Sequence, residues 1–71
     1  MSTMDELVRL AKLADAYEKE HDLPQRSFLY STSPTGSESG RKYIFGAGVQ
    51  LRGKDAALAH MRLIASEYGL S

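Results

Sequence analysis

Gly48, Gly53 and Lys54 stand at the spacing of a phosphate-binding loop, G-x-x-x-x-G-K-[ST], in the run Gly48-Val49-Gln50-Leu51-Arg52-Gly53-Lys54-Asp55. In such a loop backbone N–H groups cradle the phosphates, the lysine reaches the terminal phosphates, and the final hydroxyl ligates magnesium. Asp55 takes the hydroxyl position and would set a carboxylate beside the phosphates. Val49 and Leu51 also suit a strand facing a core, and the rest of the chain cannot supply the parallel sheet that the loop serves. The segment therefore reads as a basic strand-to-helix turn. Gly46-x-Gly48 opens a dinucleotide fingerprint, but Leu51 stands where its third glycine belongs. Gly36-Ser37-Glu38-Ser39-Gly40 has the glycine frame of a nucleophile elbow with glutamate, not serine, at its apex.

The remaining reactive side chains are scattered. His21 and His60 fall on different predicted helices, and neither has a second histidine three or four residues away as a helical metal site needs. His21 is expected at a helix C-terminus and His60 at the edge of a core stripe. With no cysteine, thiolate metal sites and disulfides are excluded. The carboxylates cluster on the solvent side of the first predicted helix, where charge is a solvated face and not an acid–base pair in a cleft. No catalytic, cofactor-binding or metal-ligating residue is assigned, and the chain is read as a non-enzyme.

The cations are more suggestive. Residues 1–22 carry six acids against three bases, net −3. Residues 23–54 carry Arg26, Arg41, Lys42, Arg52 and Lys54 against Glu38, net +4. The formal total over the chain is zero, which argues against a whole-body nucleic-acid binder, but the distribution is dipolar. Either the basic middle meets a partner, or it pairs internally with the acidic first element.

The elements that must position these groups follow from periodicity. Thr3 and Glu6 form a capping-box pattern, and Met4, Leu7, Leu10, Ala11, Leu13, Ala14 and Tyr17 share one half of a helical wheel. Pro24 stops that helix near residues 20–22. Gln25–Ser33 reads as a strand with Phe28 and Tyr30 on one face and Leu29 on the other; Ser33–Gly40 reads as a loop with a mobile tip. Tyr43, Phe45, Ala47, Val49 and Leu51 alternate as a half-buried strand, with Lys42, Ile44 and Gln50 outward. Gly46 and Gly48 leave two options, one long bent strand over 41–51 or a turn into a short third strand, and the unbroken alternation favours the bent strand. A second helix starts after Gly53, buries Ala57, Leu58, Met61, Ile64, Ala65 and Tyr68, and ends at Gly69.

The expected architecture is one α+β domain over residues 1–71, in the order helix, strand, strand, helix. An antiparallel hairpin, with a short third strand as the variant, carries both helices on one face. No apolar run long enough to span a membrane exists in the sequence, and no leader pattern is read at the start, so the expected location is the cytoplasm.

A binding role then stands above a chemical one. Ile44 and Leu29 are expected on the uncovered sheet face, and Leu63 off the second helix's core stripe on a line with Ala56 and His60. Apolar residues outside a small core point to association with a protein partner or with a second copy. The assigned binding residues are Arg26, Arg41, Lys42, Ile44, Arg52, Lys54 and Leu63. In size and layout the chain resembles the small non-catalytic inhibitors and regulators carried by phages and mobile elements, anti-CRISPR proteins among them. That likeness implies a protein target. The alternative is a basic β-hairpin that binds DNA or RNA.

Overall fold

The computed structural model describes residues 2–32 and 41–70. The order is α1 (Thr3–Glu20), β1 (Leu29–Thr32), β2 (Lys42–Phe45), β3 (Gln50–Arg52) and α2 (Lys54–Glu67). The strands form one antiparallel sheet in the order β1-β2-β3, so the expected α+β class and element order hold.

α1 starts one residue earlier than its sequence pattern suggests. The N-cap is Ser2, whose Oγ accepts from the Asp5 N–H while the Asp5 carboxylate accepts from the Ser2 N–H. Thr3 and Glu6 satisfy the same pattern but are not the pair used, because Glu6 turns instead to Arg62 on α2. Pro24 is only part of the stop signal. Asp22 adopts a left-handed conformation at φ 54°, and the Leu23 N–H returns to the Glu18 carbonyl at 2.8 Å in a Schellman arrangement. The end of α2 repeats the motif as expected, with Gly69 left-handed at φ 74° and the Leu70 N–H on the Ala65 carbonyl at 2.7 Å. Leu70 packs back on the core.

The long bent strand is not formed. Gly46–Gly48 is a single 3-10 turn, with Ala47 left-handed at φ 63°, and the Phe45 N–H bonds the Val49 carbonyl to close a hairpin. Alternation could not separate the two options. Antiparallel partners have residue numbers with a constant sum, so Tyr43 opposite Leu51 keeps the same parity as an uninterrupted strand.

β1 is shorter than expected and turned over. Leu29 pairs with Phe45 and packs against the core, whereas Phe28 and Tyr30 are exposed. A bulge between Leu29 and Ser31 shifts the register, so Leu29 does not belong on the uncovered face with Ile44. The connector before β1 is fixed by its own contacts: the Gly46 N–H donates to the Phe28 carbonyl at 2.8 Å. A Cβ on Gly46 would lie 1.7 Å from the Gln25 carbonyl oxygen, so only glycine lets the turn approach this closely. The expected 33–40 loop lies outside the described residues.

Leu7, Leu10, Ala11 and Ala14 of α1 meet Ala57, Leu58, Met61, Ile64 and Ala65 of α2 over Tyr43 and Phe45 of β2. Small alanines on both helices let their backbones come close. Met4 and Tyr68 cover the rim, while Leu13, placed on the apolar half of the wheel, is exposed. No helix among the described residues is long and apolar enough to cross a membrane.

Candidate functional site

β2 and β3 build a face that neither helix covers. With Tyr43 and Phe45 buried toward the helices, alternation turns Lys42 and Ile44 outward. Their partners across the hairpin are Arg52 and Gln50: Lys42 is directly opposite Arg52, and Ile44 is directly opposite Gln50. The outer face of the hairpin is thus two rungs, one doubly cationic and one pairing an apolar with an amide side chain. Ile44 is half-buried; Gln50 and Arg52 are exposed.

Of the seven residues assigned to binding, the structure brings together Lys42, Ile44 and Arg52. Arg41 precedes β2 with the opposite parity. Its carbonyl accepts from the Gly53 N–H at 2.7 Å, and its Nε is buried without a hydrogen-bond partner. Lys54 is the first residue of α2 and is already engaged in an interaction of its own. Leu63 is exposed on α2, far from the hairpin's outer rungs in sequence and on a helix that packs the other side of the sheet. His60, placed on the same line as Leu63, instead lies against Phe45, with ring centroids 5.3 Å apart. Burial, then the Arg26 charge, pulls the His60 pKa below the usual imidazole value.

Arg26 does not belong to the basic hairpin at all. Its Nη2 donates to Glu67, its Nε donates to the Tyr68 hydroxyl at 3.1 Å, and its Nε is 3.9 Å from Glu18 Oε2. Glu18, expected on a solvated face, is fully buried. Its carboxylate accepts from the Ser27 N–H at 3.1 Å, the Ser27 hydroxyl at 2.9 Å and the Tyr68 hydroxyl at 2.7 Å. Tyr17 stacks between His21 and Tyr68, at 4.0 and 4.4 Å. These groups clasp the ends of α1 and α2 to the connector before β1. Three hydrogen-bond donors and the nearby Arg26 guanidinium make a satisfied buried charge, which reads as a structural joint.

Sequence reasoning missed the two aromatics at the β1 edge. Phe28 and Tyr30 are 43% and 67% exposed, with rings edge to face at 5.0 Å. Beside them a groove of about 280 Å³ runs between α1 and β1, walled by Val8, Ala11, Phe28 and Leu29. A second groove, of about 430 Å³ between α1 and α2, is bordered by the Glu6–Arg62 ion pair. The run resembling a phosphate-binding loop is spread over the turn, an antiparallel strand and the start of α2, not a parallel βα unit. Among the described residues no three His, Asp or Glu side chains are grouped to hold a metal ion. Comparison with protein-family models, with curated proteins and with solved structures finds no match to this chain.

Proposed function

We propose that the chain is a non-catalytic binding protein whose outer hairpin face holds an acidic surface of a protein partner. The observation that carries this reading is the register of Lys42 opposite Arg52. Like charges directly opposite on neighbouring strands repel, and an anionic group shared between them removes that cost. Ile44 beside them gives an apolar centre to a cationic, polar rim, the usual anatomy of a protein interface. Arg26 pairs internally with Glu67 and Glu18, away from this face, and no ion pair among the described residues occupies Lys42 or Arg52. On this reading the partner is inhibited or regulated by occlusion, as small phage- and mobile-element-encoded regulators act; size and layout support that likeness.

Gln50 favours a second reading. An amide beside two cations on an open sheet can hydrogen-bond a base while the cations hold phosphates, as single-stranded nucleic-acid binders do.

One experiment separates them. Wild-type chain and the Lys42→Glu, Arg52→Glu double variant serve as baits in native-host extract treated with nuclease, and both are titrated with single-stranded and duplex DNA and RNA. A protein held by the wild type and lost from the variant supports the first reading. Binding to nucleic acid that weakens steeply with salt, with no such protein, supports the second. Equal capture by both baits with no nucleic-acid binding overturns both.

A further inference from the structure

β3 ends the sheet on the side away from β1, and among the described residues no other segment bonds to its outer edge. The hairpin register decides which backbone groups that edge presents. The Phe45 N–H bonds the Val49 carbonyl and the Gly53 N–H bonds the Arg41 carbonyl, so Phe45/Val49 and Arg41/Gly53 are hydrogen-bonded pairs of the ladder. Alternation makes Tyr43/Leu51 another, and leaves Ile44/Gln50 and Lys42/Arg52 as the non-hydrogen-bonded pairs between them. The N–H and C=O groups of Gln50 and Arg52 therefore point away from β2, along the open edge. The same two residues carry their side chains on the outer face, beside Ile44 and Lys42. We propose that an acidic segment of the partner docks on β3 as an added antiparallel strand, with an acid opposite Arg52 and an apolar side chain against Leu51. This rests on the acidic-partner reading above and specifies how the segment is held.

The edge itself states the chemistry of its occupant. Strand addition draws affinity from main-chain bonds and specificity from alternate side chains. In an antiparallel ladder the residue opposite Arg52 exchanges both backbone bonds with it and shares its face. An acid at that position meets the guanidinium that Lys42 repels. The neighbouring residue of the added strand falls on the helix side, beside Leu51, which is half-buried and packs on the rim of the core. An apolar side chain there covers Leu51. The occupant is thus an extended segment that alternates acidic and apolar residues. A second copy of this edge is a poor occupant, because it brings Arg52 and Lys42 to a row that already holds two cations. A neutral strand leaves the Lys42–Arg52 repulsion in place.

A short synthetic peptide alternating glutamate and valine tests this, by NMR titration and amide hydrogen exchange on the full chain. In the free chain the Gln50 and Arg52 amides should exchange fast and the Leu51 amide slowly. Saturating peptide should slow Gln50 and Arg52 by about tenfold or more, and Arg52→Glu should weaken binding by about fivefold or more. Methyl groups on the glutamate nitrogens, which face β3 in this register, should abolish binding. On the valine nitrogens, which face away, they should leave it intact. Binding that ignores methylation and leaves both amides unprotected overturns the added strand but keeps the acidic-partner reading, since side chains alone then hold the acids. The reverse methylation pattern, equal binding of a lysine–valine peptide, or no binding at millimolar peptide also overturns the added strand. The acidic-partner reading falls separately, when the charge-reversed bait captures the same proteins as wild type. Should Arg52→Glu lose its circular-dichroism spectrum, the methylated peptides decide, because they leave the chain unaltered.

Discussion

Gly46 tolerates no side chain. The added Cβ of Gly46→Ala would overlap the Gln25 carbonyl oxygen, which is main chain and cannot rotate away. Relief requires the connector to lift from the hairpin turn, breaking the Gly46 N–H bond to Phe28. Overpacking of this kind costs about 1–3 kcal/mol and occasionally more, so urea unfolding should show a midpoint lowered accordingly; an unchanged midpoint would mean that the connector does not pack on the turn. Asp22 is the opposite case. A left-handed non-glycine residue at a helix C-terminus is strained, and its carboxylate faces the negative end of the helix dipole. Asp22→Gly relieves both, offset in part by glycine's extra freedom in the unfolded chain, for a net gain of about 0.5–1 kcal/mol. A lowered thermal midpoint would contradict that account. Phe45 is fully buried at the centre of the sheet, and truncation to alanine should cost about 3–5 kcal/mol.

Between elements, the Glu18 clasp joins the ends of α1 and α2 to the connector before β1. Glu18→Ala would strand the Ser27 N–H and hydroxyl and the Tyr68 hydroxyl, and take the carboxylate from beside Arg26. Removing one partner of a buried charged network costs about 3–5 kcal/mol. The exposed neighbour Glu20→Ala should stay within about 0.5 kcal/mol, and a similar loss for both would place Glu18 on the surface. The sequence made the helices legible, because caps, a left-handed glycine and a 3.6-residue stripe all act within one element. Partner-dependent features were not legible. Glu18 sits on α1 among four other acids, and only the arrival of Ser27 and Tyr68 separates it from them. The inverted β1 follows from a bulge and from connector contacts with Gly46, none of which alternation encodes. For the outer face, parity alone placed Lys42, Ile44 and Gln50 outward; Arg52 joined them only once the hairpin register set it against Lys42.

Over the whole molecule, stability depends on pH through groups on different elements, and the signs can be worked out. His60 has its pKa lowered in the fold by burial and by Arg26, so the unfolded chain binds its proton more readily. Stability from this group is complete above the ordinary imidazole value of about 6.5 and is lost as pH falls below it. Glu6 has its pKa lowered by the Arg62 hydrogen bond, which adds a further loss below the ordinary carboxylate range; exposure to solvent keeps that contribution small. Tyr68 is displaced in the other direction, raised by burial and by its bond to Glu18, so the fold holds a proton that the unfolded chain releases above about pH 10. The expected profile is a plateau from neutral to mildly alkaline pH with two acid steps and one alkaline step. Urea midpoints measured across this range should fall first in the histidine window. His60→Gln removes that first step, because the buried Nε2 has no partner in the fold to lose and the amide does not titrate. The carboxylate and tyrosine steps should persist in the variant. If wild type and variant instead lose stability in parallel from pH 7 to pH 5, the titrating group is not His60, and its packing against Phe45 leaves it as free to take a proton as in the unfolded chain.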